Sequence, residues 1–216
     1  MFPRISRRAF LGGATASLVA GGAKARVPDV PPATGANPAL VRRALDAMHA
    51  SATHLTATDR LAVVDFSLPS RAPRLHLIDL KAPSIRSVLV AHGLGSDPDY
   101  TGWLTRFSNI PGSDASSAGG YVTGPAYDGE HGRSLRLIGL DETNSNAEGR
   151  AIVIHSAWYV SKARAAAAGK IGRSDGCFAV AEASLDDVLA HLGTGRFLYA
   201  NKLMPASPGA IPAIPG

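Results

Sequence analysis

From Pro38 the chain reads PALVRRALDAMHA, and its apolar positions recur every three or four residues, so that Leu40, Val41, Ala44, Ala47 and Met48 share one helical face. The pattern predicts a helix over 38–51, with Pro38 accommodated in its first turn. After it the period changes. LAVVDF (61–66), RLHLIDL (74–80) and SVLVAHG (87–93) are short runs of Val, Leu and Ile parted by turn residues, and they read as successive strands. In RLHLIDL the alternation sets Leu75, Leu77 and Asp79 on one face and His76 and Ile78 on the other, which implies burial on both sides. Further strands are predicted over 119–123, 133–139, 151–155, 177–181 and 196–201. ASLDDVLAHLG (183–193) predicts a second helix, capped by Ser184, acidic in its first turn at Asp186 and Asp187, and ended by Gly193. Many strands and few helices describe a mainly β domain.

Charge first suggests a basic protein, with 22 Lys and Arg against 17 Asp and Glu. The excess is concentrated at the start. Residues 1–25, MFPRISRRAFLGGATASLVAGGAKA, combine a basic opening, a modest apolar stretch and an Ala-Lys-Ala exit, as a cleavable signal segment does. Ser6-Arg7-Arg8-Ala9-Phe10-Leu11 resembles a twin-arginine export signal, which implies the twin-arginine machinery as a partner and an extracytoplasmic or periplasmic destination. Without Arg4, Arg7, Arg8 and Lys24 the balance is 18 against 17, and the electrostatic case for nucleic acid disappears. No later stretch approaches the roughly 18 apolar residues of a membrane span. The organisation expected is a signal segment (1–25), a Pro/Gly/Ala-rich linker (26–37), a helix and connection (38–60), one main domain (61–204) and a Pro/Ala-rich tail (205–216).

The chain has one cysteine, Cys177, in GRSDGCFAV. It is either a buried, inert residue or a nucleophile, and a nucleophilic thiol needs a base to generate thiolate near neutral pH. Seven histidines compete for that role. His155 ends the apolar run AIVIH, 22 residues before Cys177, where a strand mouth would fix it. His49, His54, His76 and His191 read as structural or solvated. His92 and His131, each followed by glycine, stand near loop ends and are held in reserve. Gly176 permits a sharp turn or a close backbone approach, and the amides of Gly176 and Cys177 are candidate oxyanion donors.

The stretch AIVIHSAWYV…GKIGRSDGCFAV resembles the catalytic signature of bacterial murein L,D-transpeptidases, in which a histidine strand precedes Ser-x-Gly-Cys. The likeness extends through VAHGLGSD, FSNIPGSDASSAGGYVTG and YDGEHGRSLRLIGLDETNSNA, from about Leu61 to Lys202. It implies Cys177 as nucleophile, His155 as catalytic histidine, Ser174 as the motif serine and Gly176 as the residue before the nucleophile, with Ser156 a candidate support for His155. It further implies acyl transfer on peptidoglycan stem tetrapeptides through a thioester, giving 3→3 crosslinks, or L,D-carboxypeptidase activity where water replaces the acceptor amine. The resemblance implies a mixed or antiparallel β-sheet domain with a few short helices, and no cofactor or metal. Two positions depart from the better-known pattern: Asp175 stands where relatives carry histidine, and Ala179 where they carry arginine. Arg173 or Arg150 is then the candidate replacement cation.

Substrate contacts are expected from Arg173, Ser174, Trp158, Tyr159 and His92. Tyr100, Trp103, Phe107 and Asn109, in the long polar loop 97–120, are either groove lining or loop anchors. Arg133 and Arg136, three apart on a strand, point to opposite faces and read as solvated. Two rival classes remain at this level. One is a zinc peptidase built on His92, Asp99 and His131 or His155, although no H-E-x-x-H pattern occurs. The other is a noncatalytic wall-binding protein that keeps the fold.

Overall fold

The computed structural model describes residues 35–203. The signal segment expected over 1–25, most of the linker and the tail over 205–216 lie outside the described residues. Within them, β1 (Arg60–Asp65), β2 (Leu75–Asp79), β3 (Ser84–Val88), β4 (Gly119–Gly129), β5 (Gly132–Gly139), β6 (Val153–Ser156), β7 (Phe178–Val180) and β8 (Phe197–Asn201) form one sheet in the order β3-β2-β1-β8-β4-β5-β6-β7. Three helices accompany it: α1 (Pro38–Ala50), α2 (Lys162–Ala168) and α3 (Glu182–Leu192). The β1–β8 and β6–β7 pairs are parallel and the other pairs antiparallel. The domain is mainly β, as the patterning predicts, and its mixed sheet with a few short helices is the arrangement that the resemblance implies. Among the described residues no helix is long and apolar enough to cross a membrane.

The two-residue period of β1 divides the core. Leu61 and Val63 face α1, whose Leu40, Val41, Leu45 and Met48 cover them, whereas Ala62 and Val64 join the larger cluster with Leu185, Val188 and Leu189 of α3. Each large apolar side chain so buried contributes roughly 2 kcal/mol. The two-sided burial expected for β2 is present, with Leu75 and Leu77 in one cluster and Ile78 in the other. At the start of α1, the Asn37 side chain accepts the Ala39 N–H at 3.0 Å, and Pro38 follows it where a missing N–H costs nothing.

Several elements differ from the sequence expectation. The third strand lies earlier, because residues 89–93 leave β3 and cross to the far edge of the sheet: Val90 bridges Val180, and the Ala91 N–H donates to the Ala179 carbonyl at 2.8 Å. The two edges of the sheet are thereby tied together by this one segment. β4 runs to Gly129 rather than ending at 123, with a register shift between Thr123 and Ala126. Ser184 lies inside α3, whose cap position is Ala181, and Ser161 caps the unexpected α2 by accepting the Arg164 N–H.

Candidate active site

The β6–β7 pair builds the site. His155 stands opposite Ala179 in parallel register, and Cys177 immediately precedes β7. Ile154 and Phe178 point into the main core, so by the two-residue period His155 and Cys177 emerge on the opposite face. That face opens on a cavity of about 420 Å³ that both residues line. Ser156, Trp158, Tyr159, Arg173 and Ser174 line it too, and Asp175, His131 and Glu182 join them. Trp158 is 73% exposed at the rim, edge-on to Tyr159, with the Arg164 guanidinium over its ring.

The imidazole of His155 is pinned from behind. Its Nδ1 lies 2.9 Å from the Ser156 carbonyl, which can only accept, so Nδ1 carries the proton and Nε2 is the basic nitrogen of the neutral ring. The support from Ser156 is therefore its backbone carbonyl and not its hydroxyl. Burial holds the His155 pKa below the ordinary imidazole range; the carbonyl opposes this, His131 adds to it and Asp175 opposes it. Burial pushes the Cys177 thiol up, aided by Asp175 and opposed by the Val153 amide and Arg150. The thiol donates to the Ala151 carbonyl at 3.5 Å, and Ala151 itself adopts φ 52°. Both shifts favour the neutral forms of thiol and imidazole.

The turn before Cys177 is fixed by hydroxyls and glycines. Ser174 Oγ donates to the Cys177 carbonyl at 2.6 Å and accepts the Gly176 N–H at 3.3 Å. Ser174 therefore braces the nucleophile's turn as well as lining the cavity, and the Gly176 amide expected to face an oxyanion is engaged by it. Gly176 has φ 113°, and a side chain there would meet the Ala115 carbonyl at 2.9 Å. Ser116 Oγ donates to the Gly176 carbonyl at 3.0 Å and accepts the Gly93 N–H at 3.0 Å, joining three loops. The sequence offered no signal for Ser116, one of several serines in a polar loop.

Arg150 and Arg173 divide the roles considered for them. Arg150 donates to the Ser108 carbonyl at 2.9 Å and the Ala115 carbonyl at 2.5 Å, clasping the loop beneath Gly176. Arg173 is the cation on the cavity wall, held over the Tyr100 ring at 4.4 Å and bonded to the Asp97 carbonyl. Ala179 is fully buried with Leu89, Ala91, Ala157, Val160 and Ile171, so apolar packing occupies this departure from the better-known pattern.

His92 corrects the sequence reading. It was expected to touch substrate, but it is 1% exposed, lies outside the cavity and accepts from the fully buried Arg74 at Nδ1, 2.8 Å away. Its Nε2 then donates to Asp97, 3.4 Å away, whose carboxylate also receives the Thr101 and Gly102 amides. Burial and the Arg74 charge push the His92 pKa down to about 3, so the ring is a neutral structural link. Arg74, itself lowered to about 9 by burial, was missed because a cation opening a strand gives no hint of its depth. Of the loop aromatics, Tyr100 carries Lys170 and Arg173, and Phe107 packs edge-on to Phe66. Asn109 holds the segment at 142–146 and Trp103 is exposed; none of these four lines the cavity.

The remaining histidines are exposed (His49, His54), bonded to Ser87 (His76) or bonded to the Leu61 carbonyl (His191). Arg133 and Arg136 are exposed, the first paired with Asp186 at 2.7 Å. His92 does not meet His155, and among the described residues no three His, Cys, Asp or Glu side chains converge as metal ligands.

Solved structures of similar shape include the helical cell shape determining protein Pgp2 from Campylobacter jejuni, at 13% identity, with 70% of this chain and 49% of that one covered and a TM-score of 0.45. An L,D-transpeptidase from Mycobacterium smegmatis (10% identity, 67% and 59% covered, TM-score 0.40) and one from Xylanimonas cellulosilytica (13%, 68% and 62%, 0.40) are also similar. The chain thus spans about half the length of the first of these and about 60% of the other two. No curated protein is matched. The family model described as the L,D-transpeptidase catalytic domain matches residues 32–201, most of the sequence, and the chain belongs to that family.

Proposed function

We propose that the protein is a cysteine acyltransferase acting on peptidoglycan stem tetrapeptides and forming 3→3 crosslinks. The observation that carries this reading is the placement of Cys177 and a carbonyl-oriented His155 on one cavity, with Nε2 as the ring's free base. His155 Nε2 takes the thiol proton as Cys177 Sγ bonds to the carbonyl carbon at the L-centre of the diamino acid at position three. The tetrahedral centre collapses by breaking the C–N bond to the terminal D-alanine, and His155 returns the proton to the leaving amine. A thioester remains. The side-chain amine of a second stem then attacks it, passing a proton to His155 while the C–S bond breaks and the thiol is restored. Water in place of that amine makes the same site an L,D-carboxypeptidase. Because burial shifts both groups toward their neutral forms, this reading has proton transfer accompany attack rather than a thiolate–imidazolium pair prepared beforehand.

Arg173, on the cavity wall without an acidic partner among the described residues, suits a substrate carboxylate. With the reading come export through the twin-arginine machinery by residues 1–25 and a periplasmic site of action, which cell fractionation checks. The chemistry is tested by intact-mass spectrometry after incubation with a disaccharide tetrapeptide and, separately, a carbapenem. The wild type should gain the acyl mass and release D-alanine, and Cys177→Ala should do neither. A folded wild type left unmodified by both would sink the acyl-transfer reading and favour a noncatalytic wall-binding protein.

A further inference from the structure

The β4–β5 hairpin turns through Glu130 and His131 between the paired Gly129 and Gly132. β5 then pairs with β6 at Ser134 and His155, which carries the hairpin tip to the catalytic strand. There the His131 and His155 rings stack, with centroids 4.4 Å apart and planes at 23°. His131 is exposed and lines the same cavity as Cys177. The His155 ring is therefore held in its plane by the Ser156 carbonyl and across its face by a residue from another strand pair.

We propose that His131 is a positioning residue for His155, fixing the imidazole from the face that Ser156 does not reach and setting a second titratable ring against it. The proposal rests on the reading of Cys177 and His155 as an acyl-transfer pair. A ring bonded only through Nδ1 keeps freedom to rotate about that bond, and misplacement of a general base is costly because proton transfer needs its lone pair on line. The stack removes that freedom.

It also has an electrostatic sign. Placing a proton on His155 beside His131 is disfavoured whenever His131 is charged, and Asp175 on the 173–177 turn acts oppositely. The other groups around His155 are Cys177 and Arg173 on that same turn, Tyr159 after β6, and Glu182 at the start of α3. His131 therefore keeps the base unprotonated to lower pH than the cavity would without it.

The test compares wild type with His131→Ala, His131→Phe and Asp175→Asn. Each is followed by the pH dependence of carbapenem acylation and by an NMR titration of His155 on the Cys177→Ala background. His131→Ala should slow plateau acylation about tenfold and move the acidic limb and the His155 titration upward. His131→Phe keeps a stacking ring without a second charge, and should restore most of the plateau rate while retaining the upward shift. Asp175→Asn should move the limb downward. A folded His131→Ala protein with the wild-type rate, limb and titration overturns the proposal. If the wild type is not acylated at all, the function reading fails, and the titrations still report whether the two rings are coupled.

Discussion

At the residue scale the site is defined by two opposed shifts, a thiol held up and an imidazole held down, both caused first by burial. The consequence is measurable without substrate. Alkylation of Cys177 by iodoacetamide tracks its thiolate fraction, and because the folded pKa is raised from 9.0, the half-maximal rate should fall above pH 9. Asp175→Asn removes a repulsive charge and should lower that midpoint, whereas Arg150→Gln removes an attractive one and should raise it. A midpoint at neutral pH would mean that a thiolate–imidazolium pair exists at rest, and the concerted proton transfer argued above would be wrong. The apolar runs beside Cys177 and His155 told that both adjoin strands, but not whether the thiol is inert or reactive, and their pairing entered only through the Ser-x-Gly-Cys resemblance. His92 was misread for a related reason. It also follows an apolar run, but only the crossing of residues 89–93 to β7 and the burial of Arg74 decide that its ring faces inward.

At the scale of elements, patterning found every strand of the sheet, since Val- and Leu-rich runs between turn residues have few alternatives. It placed β3 too late because SVLVAHG is apolar for its pairing with β7, a contact between sequence-distant segments that periodicity does not encode. The helix α2 escaped notice because KARAAAA has no buried face to set a period, and only the Ser161 cap marks it. The same crossing segment makes a prediction. Gly93 pairs with Ser174, and a methyl group on it would run into the Asp114 carbonyl and lie 2.8 Å from the Gly176 Cα. Those obstacles are backbone, so they cannot rotate aside as a side-chain end would. Gly93→Ala should therefore cost about 1–3 kcal/mol in urea unfolding and also slow alkylation of Cys177, because relief requires displacing both the Asp114 carbonyl and the 174–177 turn. Unchanged stability together with unchanged alkylation would show that the three loops are not as tightly joined as the Ser116 and Gly93 contacts imply.

The whole molecule inherits a pH dependence from its buried and half-buried histidines. His76, His92, His155 and His191 all have folded pKa values depressed below 6.5, with burial the first cause in each. A base whose folded pKa is depressed favours the fold while neutral. Its contribution is complete above the unfolded pKa and is lost as pH falls, because the unfolded chain takes up protons that the fold refuses, until the folded pKa is reached. For His92 that end point is about 3, so at pH 5 this residue alone should have cost about 2 kcal/mol. Asp59, lowered first by its hydrogen bonds to Arg196, and Asp97 act with the same sign but only below about pH 4, where unfolded carboxylates begin to protonate. Between pH 5 and 6 the slope thus belongs to the histidines. It should lie between about 1.4 kcal/mol per pH unit for one proton and about 5 for four. Urea unfolding at pH 8, 6 and 5 measures it, and His92→Gln should remove about one proton from the uptake whatever it does to stability at pH 8. A flat profile from pH 8 to 5, or an unaltered slope in His92→Gln, would mean that the Arg74–His92–Asp97 chain does not keep its imidazole neutral. The polar tie between the crossing segment and the 97–102 loop would then need another account.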